Sequence, residues 1–289
     1  MLLVAEKVTP DSLLLRVSGG RFRNTREANP GELRRSFELG LALRTKRMRQ
    51  EGMPEVASVE ALDRVLKDRT PAVIVAAEGA DFLEGDLGYV EKIRARGLVH
   101  LQIVHYYAQS LIGDISTEEF TRSGLTAFGK DLVRACNRLG ILVDVAHCST
   151  AGMEQALEIS TRPIVYSHGQ VSTVLPSPSQ NILLARAVHQ PVAKRIAEKG
   201  GVIGIWPNWY TYPNIDLYAE GLMRLADILG PRHIGIGTDL NGIPRSVVPT
   251  YAEFPDLEEA LLKRGMKAPE VQGVLGGNYI RVLREAMTI

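Results

Sequence analysis

The feature that most constrains this chain is a rhythm that sets in at about residue 70. Six short runs, Ala72–Ala76, Leu98–Val104, Ile141–Val145, Pro163–Tyr166, Val202–Trp206 and His233–Gly237, are each followed by a turn and then an amphipathic segment. The runs are nearly all apolar rather than alternating, as parallel strands buried on both faces must be. Between them lie helical patterns. In Ala127–Leu139 the apolar residues Phe128, Leu132, Cys136 and Leu139 share one face, with Thr126 as N-cap. Pro191–Lys199, Leu217–Leu229 and a last helix from about Pro269 to Met287 complete the series. Strand–helix units in series form a doubly wound sheet or a (β/α) barrel.

A barrel needs eight strands, so the first 70 residues must supply two. Leu2–Ala5 and Ser12–Val17 are the candidates, although they lie as close together as the arms of a hairpin. Arg21–Asn29 reads as a loop, Leu33–Arg49 as a basic amphipathic helix with a solvated face, and Leu175–Asn181 as an irregular segment over one end. The 289 residues suit one barrel domain, 1–289, with an atypical N-terminal part over 1–70.

In both α/β architectures the functional site forms beyond the C-terminal ends of the strands. Glu78, His105, His147, His168 and Asp239 each follow one of the six runs, and only the run ending at Trp206 delivers no such group. Any one of them reads equally well as a structural hydrogen-bonding residue. The set reads as a site. His100, His189 and His233 fall within or before their elements, away from that end. Imidazole and carboxylate are ligands suited to zinc in a hydrolytic site. Such a cation lowers the pKa of water and polarises the carbonyl under attack. Glu78, His147 and His168 would make a His₂–carboxylate site, with His105 as oxyanion donor and Asp239 as proton carrier.

Other chemistries fit less well. The chain has no G-x-S-x-G and no G-x-x-x-x-G-K-[ST], and its glycines lack the dinucleotide-binding register. A net charge of +1 gives no reason to expect nucleic acid or a membrane surface as partner. No apolar run approaches the roughly 20 residues of a spanning helix, and the opening MLLVAEKVTPDS does not read as a signal peptide. Two cysteines, Cys136 and Cys148, fit a reducing, cytoplasmic setting, and Cys148 reads as packing. Trp206 and Trp209 read as core or rim packing.

Five segments carry a resemblance. GLTAFGKDLVRACNRLGILVDVAHCS (124–149), RPIVYSHGQ (162–170), VAAEGADFLEGDLGYVEKIRARGLVHLQIVH (75–105), HIGIGTDLNGI (233–243) and VLGGNYIRVLRE (274–285) follow the family's own order of motifs. They resemble the renal (membrane) dipeptidase-like metallopeptidases of the amidohydrolase superfamily, from about residue 70 to the end. The resemblance implies a (β/α)₈ TIM-type barrel with a two-zinc site. It implies that Glu78 bridges both metals and that His147 and His168 hold the second. His105 then faces the scissile carbonyl, Asp239 handles the proton, and Arg186 holds the substrate's terminal carboxylate.

The departures matter as much. The family holds its first metal with a His-x-Asp on the first strand, and this chain contains none. The expectation is an incomplete or atypical first strand, with the chain starting after that strand would have ended. Three readings stay open: the sequence begins late, the branch has lost the first metal, or another residue stands in. Gly-Thr-Asp-Leu-Asn-Gly replaces the family's Gly-Ser-Asp-Phe-Asp-Gly, and HYYAQS replaces its Asn-rich turn. The functional expectation is a cytoplasmic hydrolase with one or two zinc ions, acting on a dipeptide-like small molecule, with a homodimer as its assembly. The rivals are a barrel that has kept its pocket for ligand binding only, and a one-metal amidohydrolase acting on a lactone or acyl-amino acid.

Overall fold

The computed structural model describes residues 3–18, 21–118, 123–240, 242–243 and 245–289. The chain runs β1 (Leu3–Val8), β2 (Leu15–Ser18), β3 (Arg21–Asn24), α1 (Glu32–Gln50), α2 (Val59–Asp68), β4 (Ala72–Glu78), α3 (Tyr89–Ala95), β5 (His100–Gln102), α4 (Ala127–Leu139), β6 (Leu142–Asp144) and α5 (Thr150–Ile159). It continues β7 (Val165–Tyr166), β8 (Val171–Ser172), α6 (Ile182–Ala185), β9 (Val188–His189), α7 (Gln190–Glu198), β10 (Val202–Ile205), α8 (Ile215–Leu229), β11 (Ile234–Ile236), α9 (Phe254–Lys263), α10 (Ala268–Gln272) and α11 (Asn278–Met287).

The six apolar runs are all strands, and they pair in parallel as expected of doubly buried segments. With β1 they form one sheet of order β1-β4-β5-β6-β7-β10-β11. The sheet curls into a TIM-type barrel. The curl is seen in one side chain: Lys7 on β1 reaches Ser167, just past β7, four strands away along the ladder. Among the described residues no pairing joins β11 to β1, so the barrel has seven paired strands and a seam.

The N-terminal part corrects the sequence reading. The first strand is atypical in composition, not missing. Leu3–Val8 pairs in parallel with Ala72–Ala77 over its whole length, in the register Lys7↔Ala76 and Val8↔Ala77. Ser12–Val17 does not supply a second barrel strand. It splits into a 3-10 turn, Ser12–Leu14, and the arm β2, which pairs antiparallel with β3. Residues 21–24, read as loop, are therefore a strand. The reason lies in the side chains. Arg16 and Arg23 oppose each other on one face of this small hairpin, and the short apolar face of Leu15, Val17 and Phe22 is only partly covered, with Val17 left exposed. Instead the hairpin lies over the barrel mouth. The Phe22 ring sits 4.8 Å from that of Tyr106, and Asn24 accepts the Ala108 N–H.

The helices match their patterns where the caps are strong. Thr126 accepts the Gly129 N–H, and α4 ends at Gly140 in the left-handed conformation. Asn214 caps α8 by accepting the Leu217 N–H. The single helix expected from Pro269 to Met287 is broken. Gly273–Gly277 forms a wide turn with Gly276 at φ 151°, a value open to glycine, and Asn278 then starts α11. The Asn278 amide donates to Pro231 O and Ile234 O, tying that break to β11. Ile74, Val99, Leu142, Val165 and Val202, at or near their strand starts, pack with Val282 and Leu283 of α11. This cluster closes the N-terminal end and leaves the other end open for chemistry. Cys136 and Cys148 are free and buried in the core, in keeping with a packing role. No helix among the described residues is long and apolar enough to cross a membrane.

Candidate metal centre

Four strand ends converge at the open end. Glu78 is the last residue of β4, and His105, His147 and His168 lie two to three residues beyond β5, β6 and β7. His147 Nε2 and His168 Nε2 are 3.2 Å apart, and both face Glu78 Oε1, at 3.5 and 3.4 Å. Ligands about 2.0–2.1 Å from a tetrahedral cation stand roughly 3.3–3.4 Å from one another. The three donors therefore fit one divalent cation. Glu78, His105 and His147 also offer ligand atoms within 4.8 Å of each other, so His105 borders the same point.

The protonation states separate the histidines. Burial, aided by the charges of Arg186, His105 and Lys7, holds His147 well below the ordinary imidazole range. Burial and the Lys7 charge do the same to His168. Both are neutral, as metal ligands must be. His105 goes the other way. Burial alone would lower it, but Asp11 and Glu78 outweigh burial and raise it. Its Nδ1 is held by Asp11 at 2.8 Å, which also accepts the Tyr106 N–H. An imidazole anchored at Nδ1 by a carboxylate and shifted toward its protonated form is suited to donating a hydrogen bond from Nε2 rather than to ligating. Environments that push like groups apart in this way assign their roles.

Asp239 follows β11 and accepts the Trp206 Nε1–H at 3.1 Å. Burial and the charge of Glu78 push its carboxyl up to about 6. Arg186 is only 2 % exposed, although guanidinium groups are rarely buried so fully. It donates to the Tyr106 hydroxyl at 2.8 Å and lies 4.9 Å over the Trp206 ring. Its Nε and Nη2 are buried without a partner. Buried donors left unpaired are costly, and a site that takes an anionic ligand resolves them. His147 and Asp239 both have positive φ, at 69° and 45°, which is unusual for side-chain-bearing residues and concentrates at functional sites.

All six residues read from the sequence thus lie at one end of the barrel. His100, which falls within its strand, is buried one layer below, bonded to Asp144 and Tyr279. His233 bonds Gly201 O at the opposite end. Trp206 is more than packing, because it fixes Asp239 and lies under Arg186. Trp209 is 43 % exposed, at the rim with Arg245 over its ring. Sequence reasoning misses Lys7, Asp11, Tyr106 and Asp144. For Asp144 a signal exists: a carboxylate in the middle of the apolar run ILVDVA has to be there for a partner. Lys7 and Asp11 give none.

His168 is placed by two glycines. A Cβ on Gly204 of β10 would stand 2.0 Å from Ser167 O, and one on Gly237 would stand 2.8 Å from His168 Cα. Gly204→Ala is expected to push the Ser167–His168 backbone outward. We expect about 1–3 kcal/mol of lost stability from such overpacking, read by urea denaturation, with weakened metal retention alongside.

The curled parallel sheet and its rim of carboxylate and imidazole groups place the chain among α/β-barrel proteins with a metal-centre-like site. The profile of the family described as membrane dipeptidase, peptidase family M19, matches residues 32–289. The chain belongs to that family. It is 25% identical over 256 residues to Dipeptidase tcpJ of Claviceps purpurea (strain 20.1), covering 86% of this chain and 59% of that protein. It is 27% identical over 245 residues to Dipeptidase 3 of Mus musculus, covering 80% of this chain and 48% of that one. The chain spans about half the length of these relatives. The crystal structure of the probable dipeptidase PvdM from Pseudomonas aeruginosa superimposes with a TM-score of 0.82 at 19% identity, over 99% of this chain and 86% of that one. At that identity the likeness concerns the fold.

Proposed function

We propose that this protein is a metal-dependent dipeptidase, with zinc as its metal. The observation that carries the reading is the spacing of Glu78, His147 and His168 around one point, with both imidazoles neutral. When bound there, the cation would lower the pKa of a water and polarise the scissile carbonyl. The chain's own residues do the rest. Arg186 binds the substrate's terminal carboxylate with its unpaired N–H groups, and Tyr106 keeps the guanidinium in place. His105, held by Asp11, donates to the oxygen on which charge develops. Asp239, pushed up to about 6, takes a proton and returns it to the leaving amine, while the Trp206 N–H fixes its orientation. The wall of Trp206, Tyr106 and the β2–β3 hairpin excludes water from the reacting centre.

The test is hydrolysis of a dipeptide panel beside acyl-amino acids and lactones, with chelator and zinc add-back. Dipeptide cleavage that chelation abolishes and zinc restores is expected. Lactone or acyl-amino-acid turnover alone would replace the dipeptide reading, and metal binding without turnover would leave a ligand-binding barrel. A second expectation concerns Arg186→Met. Hydrogen bonds to a charged group contribute about 1.5–3 kcal/mol, so kcat/KM for a dipeptide with a free carboxylate should fall by about 10- to 100-fold. A C-terminally amidated substrate should be nearly unaffected, and an equal loss on both would remove Arg186 from the carboxylate role.

A further inference from the structure

Among the described side chains of β1, Lys7 reaches the ring of acidic and imidazole groups, and its surroundings are unusual for a lysine. Its ammonium donates to Gln102 Oε1 at 2.6 Å, to Asp144 Oδ2 at 2.9 Å and to Ser167 Oγ at 2.9 Å. Its Nζ also stands 4.0 Å from Glu78 Oε1, the atom that His147 and His168 face. These four oxygens come from four different strands or strand ends: β4, β5, β6 and the residue after β7. Oxygen donors that converge from separate strands on one buried point form the surroundings of a cation. Here the cation is part of the chain.

We propose that the Lys7 ammonium is a built-in cation that takes the place of a second divalent ion, so that the centre holds one metal, at Glu78, His147 and His168. The proposal rests on the reading of those three residues as ligands and goes beyond it by fixing the number of ions they serve.

Three observations argue for this. The lone pairs a second ion would need on Asp144, Gln102 and Ser167 are already engaged by the three hydrogens of the ammonium. Asp144 has no further capacity. Its Oδ1 accepts the N–H groups of Ala146 and Ser167, and its Oδ2 accepts from Lys7 and His100. The positive charge of Lys7 is balanced by Asp144 and repels any further cation brought beside Glu78, while Glu78 keeps its carboxylate for the single ion.

The arrangement also makes Lys7 a positioning residue for His168. Ser167 Oγ contacts both Lys7 Nζ and His168 Nδ1, the latter at 2.8 Å. A hydroxyl oxygen has two lone pairs. With one taking the Lys7 N–H and the other the His168 Nδ1–H, the neutral imidazole is fixed as the tautomer whose Nε2 lone pair faces Glu78. A ligand imidazole is commonly oriented by a hydrogen bond to its other nitrogen in this way. No motif reports this lysine, and the family match begins at residue 32, after β1.

The experiment is metal stoichiometry, by equilibrium dialysis of the full chain against zinc alone with elemental analysis, read without any activity assay. Wild type is expected to hold one zinc, and His147→Ala none. Lys7→Gln is close in length and uncharged, can still bond Asp144, and is expected to hold two. Lys7→Arg keeps the charge and is expected to hold one. Two tightly held ions in wild type would overturn the proposal while leaving the metal reading intact. A folded Lys7→Gln that holds only one would overturn it as well. No zinc in wild type would instead overturn the metal reading on which it rests. Should Lys7→Gln fail to fold, zinc-edge X-ray absorption of wild type at excess zinc decides the matter: no metal–metal scattering supports the ammonium as the second cation, and a metal–metal vector refutes it.

Discussion

Replacing His147 by alanine is expected to leave a folded barrel that has lost its metal and about 10³-fold or more of its hydrolytic rate. A factor of that size corresponds to about 4 kcal/mol of barrier, within the range that a site loses when its main source of charge stabilisation goes. His147 has φ 69°, a conformation that alanine adopts only with strain. It is nevertheless required here, because it turns the ring from the end of β6 toward Glu78 and His168. Deleting the ring removes one of three donors and leaves two, too few to hold a divalent ion against water. His147→Asn serves as a companion, since asparagine tolerates the left-handed region and keeps the local backbone. Both variants should stay folded with lowered midpoints, His147→Ala the lower of the two, because the lost ring is buried against His105, Tyr106 and His168 and alanine tolerates φ 69° less well than asparagine. Dialysed zinc content and dipeptide turnover should fall together. A variant that keeps wild-type turnover after losing its metal would sink the metal-centred account.

Much of this site is legible in the amino-acid sequence, and the reason is geometric. A parallel barrel strand buried on both faces reads as an apolar run, and its chemistry must sit where the run ends. Position alone therefore finds Glu78, His105, His147, His168 and Asp239. It does not find Arg186, which lies between the short elements α6 and β9 and comes only with the family resemblance. The N-terminal strand is harder. LVAEKV carries two charges in six residues, so it does not match the apolar pattern, and the lysine that counts against a strand is the residue the site uses. The β2–β3 hairpin escapes for a related reason. It buries little, so periodicity reports nothing, and its position over Tyr106 is decided by tertiary contact. The break at Gly276 is visible as glycines, but a helix pattern on both sides masks it.

The second large effect concerns stability rather than catalysis. Asp144→Ala is expected to cost about 3–5 kcal/mol, the usual result of removing one partner of a buried charge pair. Asp144 is fully buried and makes four hydrogen bonds, to Lys7, His100 and the backbone of Ala146 and Ser167. Without it the Lys7 ammonium keeps only neutral acceptors and a carboxylate 4.0 Å away. Removing both members should cost much less than the two single changes added together, because Lys7→Ala/Asp144→Ala leaves no orphaned charge. The pH dependence has a definite sign. Burial alone would raise the Asp144 carboxyl, but the Lys7 charge and the His100 hydrogen bond outweigh burial and hold it well below the carboxylate range. A carboxylate with a depressed folded pKa gives stability that is present above its unfolded value, about 3.9, and is lost as pH falls below it toward the folded pKa. Wild-type stability should therefore drop more steeply than that of Asp144→Ala as pH is lowered below about 4, and the gap between the two proteins should narrow. Urea denaturation of both proteins from about pH 7 down to about pH 3, a range that brackets the unfolded carboxylate pKa, measures that gap directly. A gap that stays constant across the range would show that the carboxylate's charge contributes nothing and that Asp144 acts by shape alone.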